Sequence, residues 1–227
     1  MPDRTAPGRT NQRHRTRKDL LAATARLLKA GRTPTTDDVA RESMVSRATA
    51  YRYFPTIDAL LVEAPLDGAM PDADALFAHD PSTDPARRVD KAEASLHDMC
   101  YRNEAQLRLM LAASLERRAN GSAPDDIPVR QNRRTPLIEA ALAPARDQFT
   151  DAAYDNLRAA LALIFGVESM IVFKDVLALD DPTARRVKSW AAQALVRAAL
   201  AESAPGPCPS CGHDRRATPL APSPSCR

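Results

Sequence analysis

Apolar positions recur at steps of three and four along most of the chain, the spacing that lines one face of an α-helix. Leu20, Leu21, Thr24, Leu27 and Leu28 form the first such stripe. Thr16 with Asp19 has the form of a capping box, so the first helix is expected to begin near Thr16 and to stop at Gly31. Thr35 or Thr36 caps the next, with Asp37 and Asp38 in the first turn complementing the helix dipole and Val39 and Ala40 facing inward; it ends by Ser43. After a turn at Met44 and Val45, Ser46 caps a third short helix through Phe54. Pro55 and Thr56 then punctuate before a fourth, which carries Leu60 and Leu61.

Residues 65–85 contain five Asp and four Pro and read as a connector with a loose turn of helix around Ala75 to Phe77. From Ala86 to Arg118 the pattern is helical with a break near Asn103, and Val89, Leu96, Met99, Leu107, Met110 and Leu111 make its apolar stripe. Asn120 to Arg134 is a polar loop, followed by a short helix around Leu137 to Leu142. Thr150 caps a helix expected to run unbroken to about Leu179, apolar all round between Leu157 and Phe173 and therefore buried on several sides. After Asp181 and Pro182 a last helix carries Val187, Trp190, Ala191, Ala194, Leu195 and Ala198. With 4% aromatic residues and no β-branched runs, the fold class is all-α with essentially no sheet. The division expected is a disordered basic arm over 1–15, a small helical domain over 16–64, a larger helical domain over 65–203 and a disordered Pro- and Ser-rich tail over 204–227.

The formal net charge of +3 hides an asymmetry. Residues 1–63 hold twelve Lys and Arg against seven Asp and Glu, whereas 64–203 hold seventeen against twenty-one. A basic arm with Arg4, Arg9, Arg13, Arg15, Arg17 and Lys18 suits the phosphates of a nucleic acid. No apolar stretch precedes Leu20, and the longest unbroken apolar run, residues 159–167, contains the small residues Ala159, Ala160, Ala162 and Gly166 and is too short to span a bilayer; a cytoplasmic protein with no membrane partner is expected. One Cys lies inside a helical pattern and three crowd the C-terminus, which argues against a disulfide framework.

Two short helices around a tight turn, the second capped by Ser and dense in polar and aromatic residues, follow the helix-turn-helix plan. Val39, Ala40, Val45, Ala50, Phe54 and Leu60 supply its core, which leaves Arg47, Thr49, Tyr51, Arg52 and Tyr53 facing outward. The run from Thr36 to Ala40, the block Val45-Ser46-Arg47-Ala48-Thr49-Ala50-Tyr51-Arg52-Tyr53-Phe54-Pro55, and Leu60-Leu61 strongly resemble the TetR family of transcriptional regulators, over roughly Arg17 to Glu63. The resemblance implies that Thr36, Tyr51 and Tyr53 contact phosphates, that Ser46 caps the recognition helix near the backbone, and that Arg47, Thr49 and Arg52 meet base edges. It further implies a homodimer on a palindromic operator in double-stranded DNA, acting as a repressor released by a small-molecule effector. Three departures stand out: Met44 replaces the turn's usual Gly, Ile57 replaces a Lys that often meets phosphate, and the loop from Gly31 to Pro34 is short.

Beyond that block the resemblance supplies only an outline, a helical domain whose last two helices pair across a two-fold axis. The all-round apolar helix and the small residues Ala191, Ala194 and Ala198 agree with it, and Trp190 reads as core or interface rather than a ligand contact. Glu168 interrupts the apolar pattern and needs a partner, either an Arg from a neighbouring helix or the effector; with Leu96 and Met110 it marks the expected effector site. Glu93, His97, Cys100 and Glu104 fall on adjoining turns with the spacing of a half metal site, against the plainer reading of satisfied side chains, and Cys100 as a redox sensor carries no more weight. In the tail, Cys208, Cys211 and His213 resemble one knuckle of a zinc ribbon that only Cys226 could complete. Hence the alternative reading of a metal- or redox-binding sensor, against the plainer one of an unstructured tail; the main reading has no metal and no cofactor. No catalytic constellation can be assembled, and an enzyme is not expected.

Overall fold

The computed structural model of the chain describes residues 7–122 and 129–204, and every regular element among them is helical. They are α1 (Pro7–Lys29), α2 (Thr36–Glu42), α3 (Arg47–Tyr53), α4 (Ile57–Ala69), α5 (Ala73–Phe77), α6 (Pro85–Arg102), α7 (Glu104–Ala119), α8 (Arg134–Leu142), α9 (Asp151–Ile164), α10 (Val167–Ile171) and α11 (Asp181–Ser203). The tail residues Cys208, Cys211, His213 and Cys226, and residues 1–6 of the arm, lie outside the described residues.

The first helix starts at Pro7, not at Thr16. Proline suits a first turn because its missing N–H would be unpaired there anyway, and the Arg and Gln residues that follow extend a nucleated helix at little cost. Thr16 consequently sits mid-helix, its hydroxyl donating to the Gln12 carbonyl at 3.1 Å. The end of α1 is as expected: Gly31, at φ +72°, donates to the Leu28 carbonyl at 2.9 Å while the Arg32 N–H reaches the Leu27 carbonyl at 3.1 Å.

Two apolar cores result. Leu20, Leu21, Leu27, Val39, Ala50, Phe54 and Leu60 form the first, from α1 to α4. Val89, Leu96, Ile138, Leu142, Leu157, Leu161 and Val196 belong to the second, where α6, α8, α9 and α11 pack together. The connector expected from residue 65 is corrected by α4, which continues through Pro65 to Ala69. Pro65 is exposed, so its ring meets solvent and the lost bond to the turn before is tolerated, because α4 is held on one side by α1 and on the other by α7. Leu60 and Ala64 thus lie in the first core and Leu66 in the second, and a single helix ties the two together.

The long helix expected from Thr150 to Leu179 is also corrected. It breaks after Ile164, where Phe165 is extended and Gly166 adopts φ +118°. Arg134 occupies the break, donating to the Ala162 carbonyl and to Glu168, both at 2.7 Å. The φ of +118° favours glycine whatever the space, and a β-carbon at position 166 would also press on that guanidinium at 3.0 Å, which would have to shift. After α10 the chain makes a wide π-type turn over Val172–Val176. All-round burial fails for the same stretch: Leu163 is 77% and Val176 72% exposed, and Trp190 on α11 is 68% exposed, which excludes it from the core.

Candidate nucleic-acid interface

The α2–turn–α3 unit is fixed by local hydrogen bonds at each end. Thr35, not Thr36, is the cap of α2: its hydroxyl accepts from the Asp38 N–H at 3.2 Å and the Asp38 carboxylate accepts from the Thr35 N–H at 3.0 Å. The Thr35 N–H and hydroxyl, both donating to the Asp38 carboxylate, hold it below its usual range. Thr36 is the first helical residue and is buried. The turn closes as Val45 donates to the Ala40 carbonyl at 3.0 Å, with Met44 between them at φ +55°. The backbone therefore takes the left-handed conformation in spite of the side chain. Ser46 then caps α3, accepting from the Thr49 N–H at 3.0 Å.

On the outer face of α3, Ser46, Arg47, Tyr51 and Arg52 are exposed and Thr49 is half-buried. Arg47 is held from two sides, by an ion pair from its Nε to Asp37 at 2.9 Å and by the Tyr51 ring, whose centre is 5.4 Å away. Hydrogen bonding to Tyr51 and then the charge of Asp37 favour its ionised form. Tyr53 requires a correction: it does not face outward but is buried with Phe54 in the first core. Counting from Ala50, positions 53 and 54 are the i+3 and i+4 neighbours and share its inward face.

Behind the recognition helix lies an arginine cluster that the hydrophobic pattern does not announce. Arg17 is almost fully buried; its Nη2 donates to Glu63 at 2.5 Å, its Nη1 to the Tyr53 carbonyl at 3.5 Å, and its guanidinium lies 4.2 Å from the centre of the Phe54 ring. Arg117 on α7 reaches the same Tyr53 carbonyl at 3.3 Å. Arg133 bonds Glu63 at 3.0 Å and Asp67 at 3.1 Å. The signal for Arg17 was available, since it precedes Leu20 and Leu21 by three and four positions on the buried side of α1.

Of the expected effector residues, Leu96 and Met110 are buried and line one cavity of about 40 Å³. Glu168 meets that cavity only through Arg130 and Arg134, both of which bond its carboxylate. Burial opposes ionisation there, but the two guanidiniums hold the carboxyl below its usual range. Glu93, His97, Cys100 and Glu104 each have a defined setting. Glu93 pairs with Lys188 at 2.6 Å, and His97 bonds Asp181 at 2.5 Å and stacks on Tyr101. Glu104 pairs with Lys174 and Arg108, and burial pushes the Cys100 thiol up to about 11. Among the described residues no three such side chains come together as a metal site, and no helix is long and apolar enough to cross a membrane.

Residues 20–64 match the family model of bacterial regulatory proteins, tetR family. No curated protein matches the chain. The matched segment contains the capped α2, the left-handed turn and α3 with its exposed Arg47 and Tyr51. Residues 20–64 of the chain are therefore a DNA-binding domain of the type found in bacterial transcriptional regulators of the TetR family.

Proposed function

We propose that the protein is a homodimeric repressor that binds a palindromic operator and leaves it when a small-molecule effector binds the helical domain. The observation that carries the reading is the outer face of α3, where Arg47, Thr49, Tyr51 and Arg52 stand together on a helix whose start Ser46 fixes. A helix so placed meets base edges with Arg47, Thr49 and Arg52, while Tyr51 and the first-turn backbone of α2 at Thr36, whose side chain is buried, serve the phosphates.

Two further features support the assembly and the switch. Leu163 and Val172 line a groove with Val187 and Ala191 of α11, and Trp190 on the same helix is exposed, which suits pairing of the last helices across a two-fold axis. The effector seat we propose is the region of Leu96, Met110 and Glu168, next to the end of α4. Because α4 belongs to both cores, a shift at that seat alters the spacing of two readers bound to one operator.

Selection of bound sequences from random duplex DNA tests the proposal. Two inverted half-sites about one helical turn apart, or a multiple of it, are expected. Binding that follows ionic strength but favours no sequence would refute it.

A further inference from the structure

Between the reader domain and α7 lies a second cavity, of about 200 Å³, separate from the inner one and sharing only Met110 with it. Phe54, Val62, Leu109, Met110 and Val129 give it apolar walls, and Arg17 and Arg117 stand along it. An enclosed apolar cavity of about 150 Å³ accommodates a benzene ring, so the space here suits a single ring with one small substituent.

The charges around it are unbalanced. Arg17, Arg117 and Arg133 gather about two carboxylates; Arg17 and Arg133 both bond Glu63, Arg133 also bonds Asp67, and neither carboxylate bonds Arg117. Asp58 adds a carboxylate at the exposed rim, where water screens it. Besides the Arg17 bond to Glu63, Arg17 and Arg117 share one neutral acceptor, the Tyr53 carbonyl, and each has an Nε–H buried with no acceptor. Burial depresses both guanidiniums against the opposing charge of Glu63, and the charges of Arg133 and Arg117 add to the depression at Arg17. A half-buried guanidinium with no carboxylate bonded to it, beside a buried one with an unpaired Nε–H, offers donors that an anion can fill.

We infer that this cavity is a binding site for a small carboxylate with a single-ring apolar body, its carboxylate lying between Arg17 and Arg117. The position couples the ligand to the reader. Both guanidiniums tie the carbonyl of Tyr53, the last residue of α3, to α1 and α7. A carboxylate that takes over those donors releases the end of the recognition helix. This coupling rests on the DNA-binding reading above; occupancy of the cavity does not.

Calorimetric titration of the full chain, without DNA, with benzoate and its isosteres benzamide and benzamidine tests the site. Benzoate is expected to bind at least about tenfold more tightly than benzamide, and the cation benzamidine not to bind. Arg117→Met keeps the stem of the side chain and should erase the preference for benzoate over benzamide. Ala113→Phe, at the exposed mouth where folding is not at stake, should abolish binding of both. With operator DNA present, benzoate should weaken DNA binding in the unmodified chain and not in Ala113→Phe. No heat of binding with benzoate up to about 10 mM, equal affinities for benzoate and benzamide, or a preference that survives Arg117→Met would each overturn the proposal.

Discussion

Met44 is the place where the helix-turn-helix carries a measurable cost. It stands at φ +55° with its side chain 93% exposed, so the residue contributes almost no packing while its β-carbon strains the turn. Left-handed backbone costs a non-glycine residue roughly 1–2 kcal/mol. Replacing Met44 by Gly removes that strain but adds chain entropy to the unfolded state, worth about 0.5–1 kcal/mol. The net expectation is a gain of about 0.5–1 kcal/mol. For a chain of this size it corresponds to a rise in melting temperature of about 1–4 °C. Met44→Ala is the control: it deletes the same exposed side chain but keeps the β-carbon, and should gain nothing. Thermal and urea denaturation of the three proteins at one fixed concentration supplies the comparison, since the melting temperature of a chain that self-associates depends on concentration. If the Met44→Gly and Met44→Ala proteins were equally stable, or Met44→Gly less stable than the parent, the strain argument would be wrong.

The Glu93–Lys188 pair is buried on both sides. Glu93→Met alone should therefore destabilise by about 3–5 kcal/mol, while Glu93→Met with Lys188→Met should recover most of the loss, as read by urea denaturation. His97 is held below its ordinary pKa of 6.5, first by burial and further by the Lys188 and Arg185 charges, against the opposing pull of Asp181 and Glu93. Its unfolded form takes up a proton before its folded form does, so stability present above pH 6.5 falls as the pH drops below it. Melting curves from about pH 7 to about pH 5 should show that loss, and His97→Gln should flatten it. Trp190→Glu places a charge on the exposed apolar surface of α11 and should give monomers by sedimentation velocity; an unchanged dimer would move the interface elsewhere.

Features decided within a few residues were legible in the sequence. Ser46, Thr150 and the Gly31 stop need only their own helix ends, and the break between α6 and α7 falls at Asn103 as read. What was not legible depends on side chains from far along the chain. Residues 164–167, Ile-Phe-Gly-Val, carry no polar signal of a break; the break is stabilised by Arg134, some thirty positions earlier. Pro65 reads as a stop, yet α4 persists because α7 and the second core hold its far end. Tyr53 and Arg17 lie between these cases. Helical spacing alone puts both on buried faces, but an aromatic hydroxyl and a guanidinium are residue types ordinarily assigned to the surface. Of the expected site, α3's outer face is assembled as read apart from Tyr53, whereas Leu96, Met110 and Glu168 are divided by two arginines.

The central claim is that α3 reads sequence through Arg47 and holds the backbone through Tyr51. Affinities of the parent, Arg47→Ala and Tyr51→Phe for a selected operator and for every single-base variant of it test that claim most directly. Arg47→Ala should weaken operator binding on the order of 10- to 100-fold and lose discrimination at one position in each half-site. Tyr51→Phe should weaken all the sequences alike. An Arg47→Ala protein whose ranking of the variants matched the parent's at every position would contradict the account.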